Sequence, residues 1–232
     1  MTGGTTIPGV GFTSGTPLTD GLSNVRTDHT TSMRNMFYNC TSLAVLNVPF
    51  NTSKVNDMRY TFYNCKLLTT INGIKNWSGN AVQLANGMFY QCNALTALDL
   101  SNFITTTTSL TNVEYMFYKC NNLSTLNISG LNTSNVTSFN RLFYECYALS
   151  SLYVGQGFTI NSSPTNPPTI QYIVYHTSYD STTGYQKCKV YCPDEIWNTT
   201  WKTIETGKTY TGATAQDTRW NKNMFTHITW TN

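Results

Sequence analysis

Charge is scarce in this chain: of 232 residues only 11% are Asp, Glu, Lys or Arg, and the formal net charge at neutral pH is +3. The basic residues are scattered, so they make no electrostatic footprint for nucleic acid. Long apolar runs are missing too. No stretch approaches the roughly 18 to 20 apolar residues of a membrane span, and the amino terminus lacks the basic-then-apolar order of a secretory leader. The expectation is that a leader has been removed, or that the protein leaves a cytoplasm by another route such as assembly into a virus particle. Catalytic groupings are absent as well. His29, His176 and His227 stand without a companion motif, the acids form no recurring pair at helical or strand spacing, and neither a Gly-rich phosphate loop nor a nucleophile elbow occurs. No enzymatic activity and no cofactor are expected.

What the chain has in abundance is repetition. Met36-Phe37-Tyr38-Asn39-Cys40 returns as Thr61-Phe62-Tyr63-Asn64-Cys65, Met88-Phe89-Tyr90-Gln91-Cys92, Met116-Phe117-Tyr118-Lys119-Cys120 and Leu142-Phe143-Tyr144-Glu145-Cys146. The cysteines are spaced by 25, 27, 28 and 26 residues, a period that marks stacked units too small to bury an apolar face alone. Within a unit the hydrophobic period changes. Val55-x-x-Met58-x-x-Thr61-Phe62-x-x-Cys65 falls on an arc of about 120° at helical spacing, which predicts a short helix. The following Leu95-x-x-Leu98-Asp99-Leu100 alternates as a short strand does, with leucines inward and the residues between them outward. These readings predict an α/β solenoid with a parallel sheet on one face and short helices on the other. Its strands centre on Leu46, Ile71, Leu98, Leu126 and Leu152, and the insertion at Ile71-Asn72-Gly73-Ile74 predicts a bulge.

These units resemble the repeats of the BspA-like leucine-rich repeat surface proteins, most closely from Met116 through Thr137, and the resemblance spans about residues 30 to 155. It implies a surface-exposed, non-enzymatic protein with a role in adhesion, and it implies no single ligand.

Three segments are expected. Residues 1–29, rich in Gly and Thr, read as an arm or amino-terminal cap, and residues 1–28 are a candidate anchor to a larger assembly. Residues 30–155 carry the five repeats. Residues 156–232 read as a carboxy-terminal cap, with strands at Ile170–His176 and Lys187–Cys192 and a helix starting at Pro193 and running to Ile204. Val190-Tyr191-Cys192-Pro193, with the stretch from Trp220 to Trp230, is similar to the way BspA-like arrays end.

Phe37, Phe62, Phe89, Phe117 and Phe143, with Cys40, Cys65, Cys92, Cys120 and Cys146, occupy the buried stripe and are assigned structural roles, the thiols as small unpaired core residues. Cys188-x-x-x-Cys192 has no second pair or neighbouring histidine, so no metal is expected. Two exposed ladders remain. On the sheet, Val45, Thr70, Ala97, Thr125 and Ser151 form one outward column and Asn47, Asn72, Asp99, Asn127 and Tyr153 the next. Of these, Asn47, Asn72, Asp99, Asn127, Tyr153, Thr70 and Thr125 are the candidate binding residues. The second ladder, Tyr38, Tyr63, Tyr90, Tyr118 and Tyr144, is expected to stack along the other face as a shield. The functional expectation is a recognition or adhesion module, extracellular or at a cell surface, that binds protein or glycan through a repeat-built surface. The alternative is a structural, decoration or receptor-binding protein on a bacteriophage virion.

Overall fold

The computed structural model describes residues 25–103, 109–160, 179–180, 184–185, 188–198 and 225–229. The amino-terminal arm up to residue 24, the expected strand Ile170–His176 and the expected helix beyond Asn198 lie outside them. Each repeat contributes one short strand: β1 (Val45–Asn47), β2 (Thr70–Asn72), β3 (Ala97–Asp99), β4 (Thr125–Ile128) and β5 (Ser151–Val154). Their centres are the expected ones, and every pairing among them is parallel. The sheet continues beyond the repeats, because β8 (Cys188–Cys192) pairs in parallel with β5, and β9 (Phe225–Thr229) in parallel with β8. A two-residue antiparallel pair, β6 (Tyr179–Asp180) and β7 (Gly184–Tyr185), precedes β8, and one helical turn, α1 (Asp194–Ile196), follows it.

The expected helix in each repeat does not form. Residues 34–39 and their counterparts are consecutive turns, and the reason lies in where the amides point. At the first junction Met33, Asn35, Phe37 and Asn39 donate N–H groups to the carbonyls of Asp57, Arg59, Thr61 and Tyr63 in the next repeat, at 2.8–3.0 Å. The intervening Met36, Tyr38 and Cys40 donate to the carbonyls of Met33, Asn35 and Phe37, three residues back. A helix closes every amide on its own chain four residues back. Here half of them bond up the stack, and the same pattern recurs through Lys119 N–H to Tyr144 C=O.

Left-handed residues recur every fourth position, at Asn35 and Asn39, Tyr60 and Asn64, Gly87 and Gln91, Tyr115 and Lys119, and Arg141 and Glu145, and they exclude a continuous right-handed helix. Asn and Gly tolerate this conformation. For Tyr, Gln, Lys, Arg and Glu it costs on the order of 1–2 kcal/mol each, which the rungs to adjacent repeats offset. Successive turns return the chain to the same face every three or four residues. An apolar spacing of three and four is therefore common to both arrangements.

The core runs between the turns and the strands. Phe37, Phe62, Phe89, Phe117 and Phe143 are buried and stack in one column, with ring centroids 5.4–5.7 Å apart. Beside them the thiols of Cys65, Cys92, Cys120 and Cys146 each donate to the carbonyl of the phenylalanine one repeat earlier, Phe37, Phe62, Phe89 and Phe117, at 3.0–3.2 Å. That bond gives the cysteine a function that alanine cannot supply. Burial pushes the Cys120 thiol up to about 12 and the Cys92 and Cys146 thiols well above the ordinary value. All seven cysteines are free; Cys40, in the first repeat, is only partly buried.

The second repeat departs from the others, and not as a bulge. β1 and β2 keep an unbroken register, Val45 to Thr70, Leu46 to Ile71 and Asn47 to Asn72. The additional chain is absorbed after β2. Gly73 turns left-handed at φ 87°, with the Val48 carbonyl where a Cβ would come within 3.0 Å, and a 3-10 turn follows at Ile74–Asn76. Trp77 ends that turn buried, stacked near Phe50 and Phe62, its indole N–H donating to the Val48 carbonyl at 3.3 Å. The sheet breaks there: β1 and β2 form one sheet, and β3, β4, β5, β8 and β9 form another.

Candidate binding surface

The register of the parallel strands aligns their outward side chains without gaps in each sheet. Ala97, Thr125, Ser151 and Lys189 form one column, and Asp99, Asn127, Tyr153 and Tyr191 the next. In the two-stranded sheet Val45 with Thr70 and Asn47 with Asn72 form the corresponding pairs. Thr70, Asn72 and Ala97 are exposed, and Asn47, Asp99, Thr125, Asn127, Ser151 and Tyr153 are half-buried. Sequence reasoning missed Lys189 and Tyr191. The alternation in Cys188-Lys189-Val190-Tyr191-Cys192 carries the signal, yet it lies beyond the last repeat phrase.

The columns are internally bonded. Asn72 Nδ2 donates to Asn47 Oδ1 at 2.7 Å, and Tyr153 and Tyr191 stack at 4.4 Å with an interplanar angle of 10°. Asp99 and Asn127 each turn one side-chain oxygen to the backbone N–H two residues on, that of Ser101 and of Ser129. Asp99 also accepts Lys75 Nζ at 3.0 Å across the break, another partner that periodicity did not reveal because Lys75 belongs to the inserted turn. Burial pushes the Asp99 carboxyl up, but its bonds from Ser101 and the Lys75 ammonium outweigh that and leave it below the ordinary carboxylate range.

Between β2 and β3 lies a cleft of about 350 Å³, lined by residues 69–75 and 96–99. The structure thus brings Thr70, Asn72 and Asp99 to one cleft, with Asn47 bonded to its rim, and leaves Thr125, Asn127 and Tyr153 along the sheet to one side.

On the turn face Tyr38, Tyr63, Tyr90, Tyr118 and Tyr144 stack continuously, with centroids 4.4–4.9 Å apart and rings within 14° of parallel. Burial, together with the neighbouring tyrosines, pushes the Tyr63 and Tyr90 hydroxyls above the ordinary value. At the far end His227 stacks on Trp197 at 4.7 Å and lies 3.6 Å from Asp194. Among the described residues no three His, Cys, Asp or Glu side chains gather as a metal site would require, and no helix is long and apolar enough to cross a membrane.

These features define a repeat protein whose parallel strands present a striped polar face. The chain belongs to the family described as Mycoplasma protein of unknown function, DUF285, which matches residues 11–125 and 69–154, two overlapping stretches as a repeating unit allows. None of the curated proteins matches it. Among solved structures it is similar to a leucine-rich repeat protein of T. pallidum, at 18% identity over 59% of this chain and 68% of that one, with a TM-score of 0.32, a likeness too distant to carry an argument.

Proposed function

We propose that the protein is a leucine-rich-repeat solenoid acting as a non-enzymatic recognition and adhesion module at an exposed surface, and that it binds a partner protein through the outward columns of its sheet. The observation that carries this reading is the double stripe of mostly polar outward side chains, in which Ala97, Thr125 and Ser151 stand in register beside Asp99, Asn127 and Tyr153 on one sheet, and Thr70 stands beside Asn72 on the other. Within each sheet a stripe with one residue every roughly 4.8 Å offers many shallow hydrogen-bonding positions, which suits an extended surface contact. The low charge supports the same reading, because contact then depends on shape and hydrogen bonds.

The test presents the full chain to arrays of surface proteins and of glycans, beside a Thr125→Arg, Asn127→Arg variant. Those two side chains are half-buried on the sheet face, so their enlargement obstructs the stripe while leaving the core intact. Binding to proteins that falls at least tenfold in the variant, with an unchanged melting temperature, supports the reading. Binding confined to glycans, or equal for both forms, overturns it.

A further inference from the structure

The cleft between β2 and β3 is a break in main-chain bonding, and the direction of the broken bonds can be read from the intact junctions. Val48 N–H donates to the Asn72 carbonyl, so Asn72 faces β1. Parallel strands alternate the side to which successive residues turn their N–H and C=O groups. Ile71 therefore turns its pair toward the break. On β3, the Thr96 carbonyl accepts from Ser124 and Thr125, and Leu100 N–H donates to Asn127. Thr96, Leu98 and Leu100 thus face β4, and Ala97 and Asp99 face the break.

At every other repeat junction the residue before the strand opens the ladder, Thr69 bonding Ala44, Ser124 bonding Thr96 and Ser150 bonding Ser124. At the break the last bond is Ala94 N–H to the Lys66 carbonyl at 3.2 Å, upstream of both strands. Beyond it most Cα pairs between β2 and β3 are more than 8 Å apart. A strand laid between two others needs them about 9.6 Å apart, twice the usual spacing.

The inner wall shows what such a strand would bury. Leu46, Leu126 and Leu152 are fully covered, whereas Ile71 and Leu98, the equivalent residues flanking the break, retain 7% and 5% exposure. The rim is mostly polar, with Thr70, Asn72 and Asp99 outward beside the small Ala97, and Lys75 across from Asp99.

We infer that this cleft binds an extended peptide segment of the partner protein as an additional parallel strand between β2 and β3, reading a polar, β-branched apolar, polar triplet. The apolar side chain covers Ile71 and Leu98, the flanking polar ones join the outward columns, and the peptide main chain meets the amides and carbonyls of Ile71, Ala97 and Asp99. This rests on the recognition function proposed above and specifies its ligand class and mode.

The probe is a displayed library of random dodecapeptides selected on the full chain, followed by synthesis of the selected peptides. Hydrogen exchange at the Ile71, Ala97 and Asp99 amides is expected to slow at least tenfold when such a peptide binds, with little change at Thr125 or Ser151. N-methylation should abolish binding at consecutive positions of the inserted triplet, because alternate residues bond to β2 and to β3, and should be tolerated outside it. Ala97→Pro removes one amide that faces the break while sparing the bonds to β4, and proline is tolerated at the first residue of a strand. This variant is expected to lose at least tenfold in affinity at a nearly unchanged melting temperature. Peptides that bind without protecting those three amides, or that tolerate N-methylation at alternate positions of the triplet, overturn strand insertion but leave the recognition reading standing if Thr125→Arg, Asn127→Arg still blocks protein binding. Failure to select any peptide that binds the full chain also overturns the inference. The N-methyl scan decides the matter should Ala97→Pro fail to fold.

Discussion

Along the turn face the main chain of every repeat is bonded to the next at four rungs, from Met33 through to Tyr144, whereas on the strand face the bonding joins β1 to β2, stops, and resumes from β3 through β9. The same second-to-third junction is thus closed on one side and open on the other. Phe62 and Phe89 stack across it at 5.4 Å, Tyr63 and Tyr90 at 4.4 Å, and the Cys92 thiol donates to the Phe62 carbonyl. Stacking of repeats therefore does not require an unbroken sheet. The turn face carries the junction, and the strand face is free to vary there.

The largest expected effects test that division directly. Phe89 is fully buried between Phe62 and Phe117, so Phe89→Ala should destabilise by about 3–5 kcal/mol, whereas Leu98→Ala, beside the cleft where the void is open to water, should cost nearer 2 kcal/mol. Urea denaturation of the two variants measures this, and equal losses would mean that the open junction depends on its strand side as much as on its turn side.

Gly87 gives a smaller effect of steric origin. It sits at φ 64°, and a Cβ there would come within 2.5 Å of Tyr60 Cδ1. Gly87→Ala should cost on the order of 1–2 kcal/mol for the left-handed backbone, with an additional contribution from Tyr60. Repeating the substitution in a Tyr60→Ala background isolates the latter, since only the steric part should disappear.

Asp57, which opens the turn segment of the second repeat, supplies an effect below about 1 kcal/mol. Burial pushes its carboxyl up, yet the bonds from the Arg59 side chain, at 2.6 and 2.9 Å, and from the Arg59 N–H hold its pKa below the ordinary value. A carboxyl with a depressed folded pKa contributes stability that is complete above its unfolded pKa of about 3.9 and is lost as pH falls through the lower folded value. Asp57→Asn should consequently be less stable than the parent at about pH 6 and indistinguishable from it at about pH 2, by chemical denaturation at each pH.

The smallest effect on stability, and the sharpest chemically, concerns the end of the thiol column. The neighbouring Cys65 thiol lowers the pKa of the partly buried Cys40, while burial alone would raise it. Native protein treated with a maleimide should be modified first at Cys40, and the remaining six cysteines only on unfolding. Equal reactivity of Cys40 and Cys120 in the native state would show that the column is not closed.

Strand positions and inward residues were legible because alternation around Leu98 and Leu126 has one structural meaning in so short a segment. The helix was misread because Val55, Met58, Phe62 and Cys65 have the same spacing whether a helix or consecutive turns return them to the core. Asn35, Asn39, Asn64 and Gly87 are the residues that hinted at left-handed positions; Tyr115, Lys119, Arg141 and Glu145, in equivalent places, conceal the pattern. The inserted segment was legible as an irregularity at Ile71–Ile74. Its consequence, a turn anchored by Trp77 and a parted sheet, was not.

By itself, the sequence determined the repeat, its period and which side chains are buried, because hydrophobic spacing acts on each segment locally and recurs five times. Only the tertiary structure decided whether each amide bonds within its own repeat or to the next. That choice depends on a carbonyl some 25 residues away, as for Asn39 and Tyr63 or Val48 and Asn72, and no local pattern records it. The cleft has the same origin: β2 and β3 part because Gly73–Asn76 must leave the sheet for Trp77 to reach the core, and burial of one indole outweighs a few strand bonds that water or a ligand can replace.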